Sequence, residues 1–471
     1  MKKTKIICSI GPASEKTEVM AEMVKCGMNV ARINFSHASY EQNDKVVSVI
    51  KEVRSLTGNH VSILYDTKGP DFRCLEMKEE GVNLVAGNTI KMVKDHVVGT
   101  EEAFSVNYPN AIDKINVGST VLIDDGLFKF EVIDKDSSSL TLKVINGGVL
   151  TSKKGIAVPG CDLDLEFLSE VDKEDIKYAC SHEGDFIALS FVESRENVDA
   201  VRKILAENGR SDMQIISKVE SATAVKNLDD IIDASDGIMV ARGDLGVEVP
   251  IEKLPIIQKD MIRKCREKEK FVIVATEMLA SMYTNPRPTR AEVTDISNAV
   301  LDGTDAVMLS GESTVGKYPV DAVRYMANIC EEAEKFEEEY ASDFSPIVPN
   351  DITEAIASAV LTSVSQLDVK AIVVPTSGGH SARVISNLRP NTMILALCPN
   401  NKLARALSIN YGVYPVVIDV DHDDMDDVAK ACKSVAATLL NLQKNDIIVI
   451  CGGIHSNHDV KQTNFMKIEE I

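Results

Sequence analysis

The 471 residues are too many for one hydrophobic core, and at roughly 100–200 residues per domain they imply two to four domains. With 44% hydrophobic and 26% charged residues, the chain reads as an ordinary globular protein rather than a disordered or fibrous one. A net charge of -21 excludes nucleic acid and anionic lipid as partners, because nothing offsets phosphate repulsion; small anionic substrates need only a local cluster of Arg and Lys, or a metal ion.

The N-terminus is basic, but the apolar stretch behind it stops at Gly11, too short for a signal-peptide core. No apolar run approaches the roughly 18–20 residues that span a membrane, so a cytoplasmic protein without a membrane partner is expected. Short β-branched runs then recur at 5–10, 29–35, 62–66, 186–191, 214–219, 237–242, 271–276 and 306–310. Their continuous apolar character predicts parallel strands covered on both faces. Helical spacing between them, as at 201–208 and 254–268, gives strand–helix units of about 30 residues, the rhythm of a (β/α)8 TIM barrel. One interval breaks this rhythm. Between Asp66 and Phe186 the text alternates with period two and carries Asp-Gly and Asn-Gly turns, which predicts an inserted antiparallel β lid domain. After the charged helix end at 333–340, further strands ("AIVVPT", "MILALC", "VYPVVID", "DIIVICGG") and helices at 353–366 and 425–442 predict a C-terminal open α/β domain. The expected boundaries are 1–72 and 163–338 for the barrel, 73–162 for the lid and 339–471 for the last domain.

In such a barrel the active site lies at the C-terminal ends of the strands. Those ends carry Arg32 to His37, Asp66 to Arg73, Lys218-Val219-Glu220, Arg242 to Gly246, Thr276-Glu277 and Ser310-Gly311-Glu312. Lys218 and Glu220 are two apart and share a face of a strand. In isolation they make a plain ion pair; with Asp244 on the next strand they form a two-carboxylate set suited to Mg²⁺ or Mn²⁺, which keep waters and bind substrate oxygens. Arg32, Arg73 and Lys218 would supply positive charge for a phosphate. Gly243 and Gly246 allow two readings, a turn needing positive φ or backbone N–H groups approaching a carboxylate. The run Gly311 to Lys317 imitates a Walker A loop, but Tyr318 stands where the Mg²⁺-binding hydroxyl is required, so it is not one. The ten cysteines occur singly, without a CxxC pair, which indicates neither a zinc ribbon nor a disulfide framework.

Seven motifs in order, "KTKIICSIGPAS", "MNVARINFSH", "DTKGP", "IISKVES", "MVARGDLGVEVP", "VATEMLASM" and "PRPTRAEVTDISNAVLDGTDAVMLSGES", resemble the pyruvate kinase family. The resemblance is dense over the barrel and lid and looser over the C-terminal domain. It implies phosphoryl transfer from phosphoenolpyruvate to ADP, giving pyruvate and ATP, by a homotetramer. It implies that Lys218, Arg32 and Arg73 bind the transferring phosphoryl group, with Gly243, Asp244 and Thr276 also at the substrate. Glu220 and Asp244 would hold Mg²⁺ or Mn²⁺. Asn34, Ser36, Asp66 and Thr67 would hold K⁺, and Thr276 and Ser310 would lie near the proton path to the enolate. Pro12, Asn34, His37, Arg73, Asp125 and Lys154 would contact the nucleotide. Thr376, Ser377, Gly378, Gly379, His380 and Ser381 resemble a loop that grips a sugar phosphate in regulated relatives.

The chain departs from the family pattern at several positions. Asp71 stands where K⁺-dependent members carry Glu, Glu277 replaces a common Gln, Ala38 a usual Gly and Gln42 a usual Tyr. The late loop from Gly452 to Asp459, glycine-rich in regulated relatives, here carries two histidines and the acid Asp459, a poor match for a bisphosphate. Two other readings remain: a Schiff-base aldolase or lyase using Lys218 on the same barrel, and a non-catalytic metabolite-sensing pseudoenzyme.

Overall fold

A computed structural model describes residues 2–36, 38–340, 351–418, 425–453 and 462–471. Eight parallel strands close a barrel: Lys5–Ser9, Val30–Asn34, Ser62–Asp66, Phe186–Leu189, Gln214–Val219, Gly237–Ala241, Phe271–Ala275 and Ala306–Leu309. Each pairs with the next in this order, and the last returns to the first. The apolar runs thus form strands buried on both faces, as their composition predicts.

The period-two alternation decides what fills the barrel. One parity points inward: Ile7, Val30, Leu64, Phe186, Ala188, Ile216, Met239, Ile273 and Met308 pack into a single core, with Ile409 of the C-terminal region closing its base. The other parity, including Ile6, Ile33, Ile63, Ile187, Ile215 and Val274, packs against the surrounding helices. Each such side chain contributes about 1.5–3 kcal/mol when fully buried. Continuing the inward parity to the strand ends gives Ser9, Arg32, Asn34, Asp66, Ser190, Lys218, Glu220 and Ser310. The interior therefore changes from apolar to polar toward one mouth, and this positions the site.

Helices are ended by local chemistry. The helix Tyr40–Thr57 starts at Ser39, which forms a capping box with Gln42, and stops at Gly58 with φ 70°. Such a cap contributes about 1 kcal/mol. Gln42, which departs from the family pattern, is thereby engaged in holding the helix start: its side-chain oxygen accepts from the Ser39 N–H at 2.9 Å.

The segment between the third and fourth barrel strands forms a two-stranded pair (Val82–Leu84 with Gly148–Leu150) and a six-stranded sheet running from Ile156–Ala157 to Ala103–Ser105. It has its own core around Ile90, Met92, Phe104, Phe130 and Leu142. The predicted antiparallel pairing needs one correction, since Thr89–Val93 and Ala103–Ser105 run parallel. The loop between them folds back on itself: the Ser105 hydroxyl donates to the Val97 carbonyl at 2.9 Å, which brings the second strand alongside in the same direction.

The C-terminal region is a five-stranded sheet in the order Val413–Val417, Ile394–Cys398, Val369–Pro375, Ile447–Gly452, Phe465–Glu470. The last strand is antiparallel and was not expected from the sequence. Its text, Phe465 to Glu470, is charged and partly exposed along its length, the usual dress of an edge strand. This region is anchored under the barrel by Arg405, whose Nε lies 2.9 Å from Asp185, and by the Ser62 hydroxyl, which donates to the Arg405 carbonyl at 2.6 Å. No helix among the described residues is long and apolar enough to cross a membrane.

Candidate active site

Three barrel strands bring one charged cluster together. Asp66, 1% exposed, accepts from Arg32 Nε at 2.7 Å and lies 3.3 Å from Lys218 Nζ. Lys218 Nζ is also 2.9 Å from Glu220 Oε1 and donates to Ser190 Oγ at 2.8 Å. Arg32 donates in addition to Ser9 Oγ at 2.7 Å, and Glu220 Oε2 accepts from the Phe191 N–H at 2.6 Å. Ser9 and Ser190 were missed as site residues; their inward parity, two positions beyond Ile7 and Ala188, is the signal that finds them.

The electrostatics follow from this packing. Burial alone would push the Lys218 ammonium down, but Asp66 and Glu220 beside it more than reverse that, so its pKa is raised and it stays charged. Burial alone would raise Asp66, and Lys218 and Arg32 instead hold it below the usual carboxylate range. Glu220 is raised by burial against the pull of Lys218, with Asp244 adding repulsion. Asp244 opens onto the cleft, whose walls crowd it without sealing it; burial raises it, Lys218 opposes, and Asp71 and Asp125 add repulsion.

Two carboxylates that repel each other next to a single lysine fit a cation of charge two. Among the described residues no group of three or more His, Cys, Asp or Glu is placed to hold a metal. The residues expected at a monovalent cation likewise offer only oxygen donors. Asn34 and Asp66 are partners across adjacent strands, the Asn34 side-chain oxygen faces the Ser36 N–H at 3.0 Å, and Thr67 follows directly.

The neighbouring strand ends are braced. Thr276 has φ 67° and Glu277 φ 54°, left-handed conformations uncommon for any non-glycine residue and strained most for the β-branched Thr276. Thr276 Oγ1 accepts from the Gly243 N–H at 2.8 Å and donates to the Ala275 carbonyl at 2.6 Å, while its own carbonyl accepts from Arg242 at 2.6 Å. Arg242 is in turn held by both oxygens of Asp295, at 2.8 and 2.6 Å, a clamp the sequence did not disclose. Gly243 and Gly246 lie in the short helix Arg242–Glu248 and are absent from the positive-φ positions, so the turn reading is set aside. Ser310 donates its N–H to the buried Glu312 carboxylate at 2.8 Å, and the other Glu312 oxygen accepts from the Leu279 N–H at 3.0 Å. Glu312 thus ties the seventh and eighth strand ends together, and the Walker-like run is a short helix, Gly311–Thr314.

Other expected residues stand apart from the Arg32–Lys218 cluster. Arg73 is half-exposed and bound to Asp71 (Nε at 2.5 Å) and to the Lys153 carbonyl at 2.8 Å. Lys154 pairs with Asp124 at 2.9 Å. Asp125 lines a cleft that also touches Asp71, Phe191 and Asp244. Pro12 is exposed on the loop after the first strand, and His37 lies outside the described residues. In the C-terminal loop, Thr376 Oγ1 accepts from the Gly379 N–H at 2.9 Å and Ser381 is bonded to Thr463 at 2.6 Å. Both hydroxyls are buried, and Ser377 is the exposed one; His380 begins the helix His380–Asn387 behind them. Residues 454–461 of the facing loop, with His455, His458 and Asp459, lie outside the described residues.

Glu248 lines the same cleft with Glu193 and Asp244. Burial, then Glu193 and Asp244, push its carboxyl up to about 7. A carboxylate raised on folding binds protons more tightly in the folded state, so stability is lost as pH rises from the ordinary range of ~4.5 toward 7. Glu248→Gln should therefore raise Tm at pH 8 and leave it nearly unchanged at pH 5. A scanning calorimetry series that shows the same Tm difference at both pH values would refute this.

The site geometry can be set beside known proteins. The family model "Pyruvate kinase, barrel domain" matches residues 1–323, and "Pyruvate kinase, alpha/beta domain" matches residues 354–469. A pyruvate kinase of Bacillus licheniformis is 43% identical over 472 residues, covering 99% of this chain and 80% of that protein. One of Geobacillus stearothermophilus is 42% identical over 479 residues, covering 100% and 80%. A crystal structure of a pyruvate kinase from Cryptosporidium parvum superposes with a TM-score of 0.91 at 37% identity, covering 100% of this chain and 96% of that one. With both domain models matched and likeness running along nearly the whole length, the chain belongs to the pyruvate kinase family.

Proposed function

We propose that the phosphoryl transfer of this family, from phosphoenolpyruvate to ADP, is carried out here by the Arg32–Asp66–Lys218–Glu220 cluster. The observation that carries the assignment is the Lys218 amine held between two carboxylates at the inward end of its strand. Phosphoryl transfer asks mainly for positioning and charge neutralisation. Arg32 and Lys218 hold the phosphoryl oxygens while the P–O bond to the enol oxygen breaks and a new P–O bond forms to the terminal phosphate of ADP. The enolate left behind takes a proton at its methylene carbon, on the side of Thr276 and Ser310, giving pyruvate. Glu220 and Asp244 would hold Mg²⁺ or Mn²⁺, which supplies charge neutralisation at the developing enolate oxygen and the phosphate. Asn34, Ser36, Asp66 and Thr67 would hold K⁺. Arg73, Asp125 and Lys154 would reach the nucleotide from the lid and Pro12 from the barrel, with His37, outside the described residues, as a further expected contact.

The fixed Asp66–Lys218 pair disfavours the Schiff-base reading, because an imine requires a neutral amine and this one is kept protonated. A coupled pyruvate assay with phosphoenolpyruvate, ADP and Mg²⁺, with and without K⁺, tests the function. Turnover should vanish with a chelator, and turnover that survives it would overturn the metal assignment. Domain boundaries at 1–72, 73–162, 163–338 and 339–471, a cytoplasmic location and a homotetramer complete the proposal; a monomeric mass at micromolar concentration would remove the last. Fructose 1,6-bisphosphate should activate weakly or not at all, since Thr376 and Ser381 are already engaged within the protein. A large leftward shift of the phosphoenolpyruvate curve at micromolar bisphosphate would refute this.

A further inference from the structure

Ser190 lies just beyond the fourth barrel strand, 3% exposed, between two groups given separate duties above. Lys218 Nζ donates to its hydroxyl oxygen at 2.8 Å. The same hydroxyl donates to the Thr67 carbonyl at 2.6 Å, and the Ser190 N–H donates to Thr67 Oγ1 at 3.2 Å. A hydroxyl has one proton and two acceptor lone pairs, and an ammonium can only donate. The Ser190 proton is therefore committed to Thr67, which fixes the lone pairs toward Lys218. Asp66 Oδ1, 3.5 Å away, is the weaker competitor for that proton.

The loop that follows Thr67 is pressed against the same residue. At Gly69, φ is 67°, and a Cβ there would fall 2.8 Å from Ser190 Cβ and 3.0 Å from its carbonyl oxygen. The 67–69 turn and Ser190 are therefore in close approach, so a shift of the turn toward Ser190 would move it and turn its lone pairs away from Lys218.

We propose that Ser190 is a positioning residue that transmits occupancy of the monovalent-cation loop at Thr67 to the Lys218 ammonium. The proposal rests on the assignment of Lys218 to the phosphate and Thr67 to the cation. A cation held at Thr67 would share the carbonyl oxygen that orients the Ser190 hydroxyl and would weaken that oxygen as an acceptor. Lys218 would then be held differently in the cation-bound and cation-free protein, through a single side chain.

The test is calorimetric binding of phosphoenolpyruvate to the full chain with Mg²⁺ and without ADP, over a K⁺ series balanced with tetramethylammonium. The parent should bind more tightly as K⁺ rises. Ser190→Ala should lose most of that response, and its kcat should fall about 10-fold, equivalent to ~1.4 kcal/mol in the barrier, with KM for ADP unchanged. Ser190→Thr keeps the hydroxyl and should restore the response. A parent indifferent to K⁺, an Ala variant that responds as the parent does, or equal loss in the Ala and Thr variants would each overturn the proposal. If Ser190→Ala does not fold, Ser190→Cys, whose thiol is a weak donor and acceptor, is read in its place by the same criteria. Lys218→Met in the same series separates the two levels. Parental turnover in that variant overturns the site assignment itself, whereas an inactive Lys218→Met beside an unaltered Ser190→Ala overturns only the coupling.

Discussion

Lys218→Met should lower kcat by at least about 1000-fold, the scale of removing a charge aimed at the transferring group, while the protein still folds. The two halves of this expectation have different causes. The ammonium sits among Asp66, Glu220 and Ser190, and a methionine of similar length fills its volume without its charge. Removing one partner of a buried ion pair generally costs ~3–5 kcal/mol, because the other charge is left uncompensated. Here the cost is smaller. Asp66 keeps Arg32 at 2.7 Å, and Glu220, already raised by burial, takes up a proton in place of its lost partner. A modest fall in Tm that is larger at high pH, with native circular dichroism, is the expected signature. Near-parental kcat would remove Lys218 from the mechanism, and loss of the native spectrum would show that its role in the fold had been underestimated.

The fold was legible where the sequence signal is local and repeated. The apolar runs sit within a residue or two of the eight barrel strands, and the break after Asp66 marked the inserted sheet. The edge strand Phe465–Glu470 escaped because a half-exposed, charged strand has no hydrophobic signature, and its pairing with Ile447–Gly452 is a tertiary fact. The site was legible as residue types at strand ends. Its wiring was not. Asp66 bridges Arg32 and Lys218 only because three strands place their inward residues at one level, and the Arg242–Asp295 clamp joins residues 53 apart in sequence. Gly243 and Gly246 allowed either a turn or backbone N–H groups facing a carboxylate, and of these the turn fails, because the chain continues there into a helix whose first N–H groups would otherwise lack partners. Gly243 gives its N–H to Thr276, linking two strand ends that the sequence leaves unconnected.

Asp244→Asn is expected to move activity and stability in opposite directions. Asp244 lies at the cleft with Asp71 and Asp125 as repelling neighbours, Lys218 as its counter-charge, and burial raising its carboxyl. In the metal-free protein this carboxylate is therefore an electrostatic liability, and an amide of the same shape relieves it. Tm measured with chelator at pH 8 should rise in the variant. As pH falls toward the ordinary carboxylate range the difference should shrink, because a group with a raised folded pKa costs stability only above its unfolded pKa. With Mg²⁺ present the order reverses. Loss of one of two anionic oxygens should raise the Mg²⁺ concentration for half-maximal turnover by about 10- to 100-fold, the scale seen even for outer partners of metal ligands, and lower kcat/KM accordingly. Such a trade of stability for function is the mark of a site held against its own repulsion. Glu220 provides the contrast, since both of its oxygens have partners, the Phe191 N–H and Lys218. Glu220→Gln would set an amide N–H against one of these donors, leaving a buried donor unsatisfied at ~1–3 kcal/mol. The metal-free Tm should therefore rise for Asp244→Asn and not for Glu220→Gln, while both raise the metal requirement. An Asp244→Asn protein that melts lower than the parent in chelator and keeps the parent's Mg²⁺ dependence would mean that Asp244 serves the fold and not the metal.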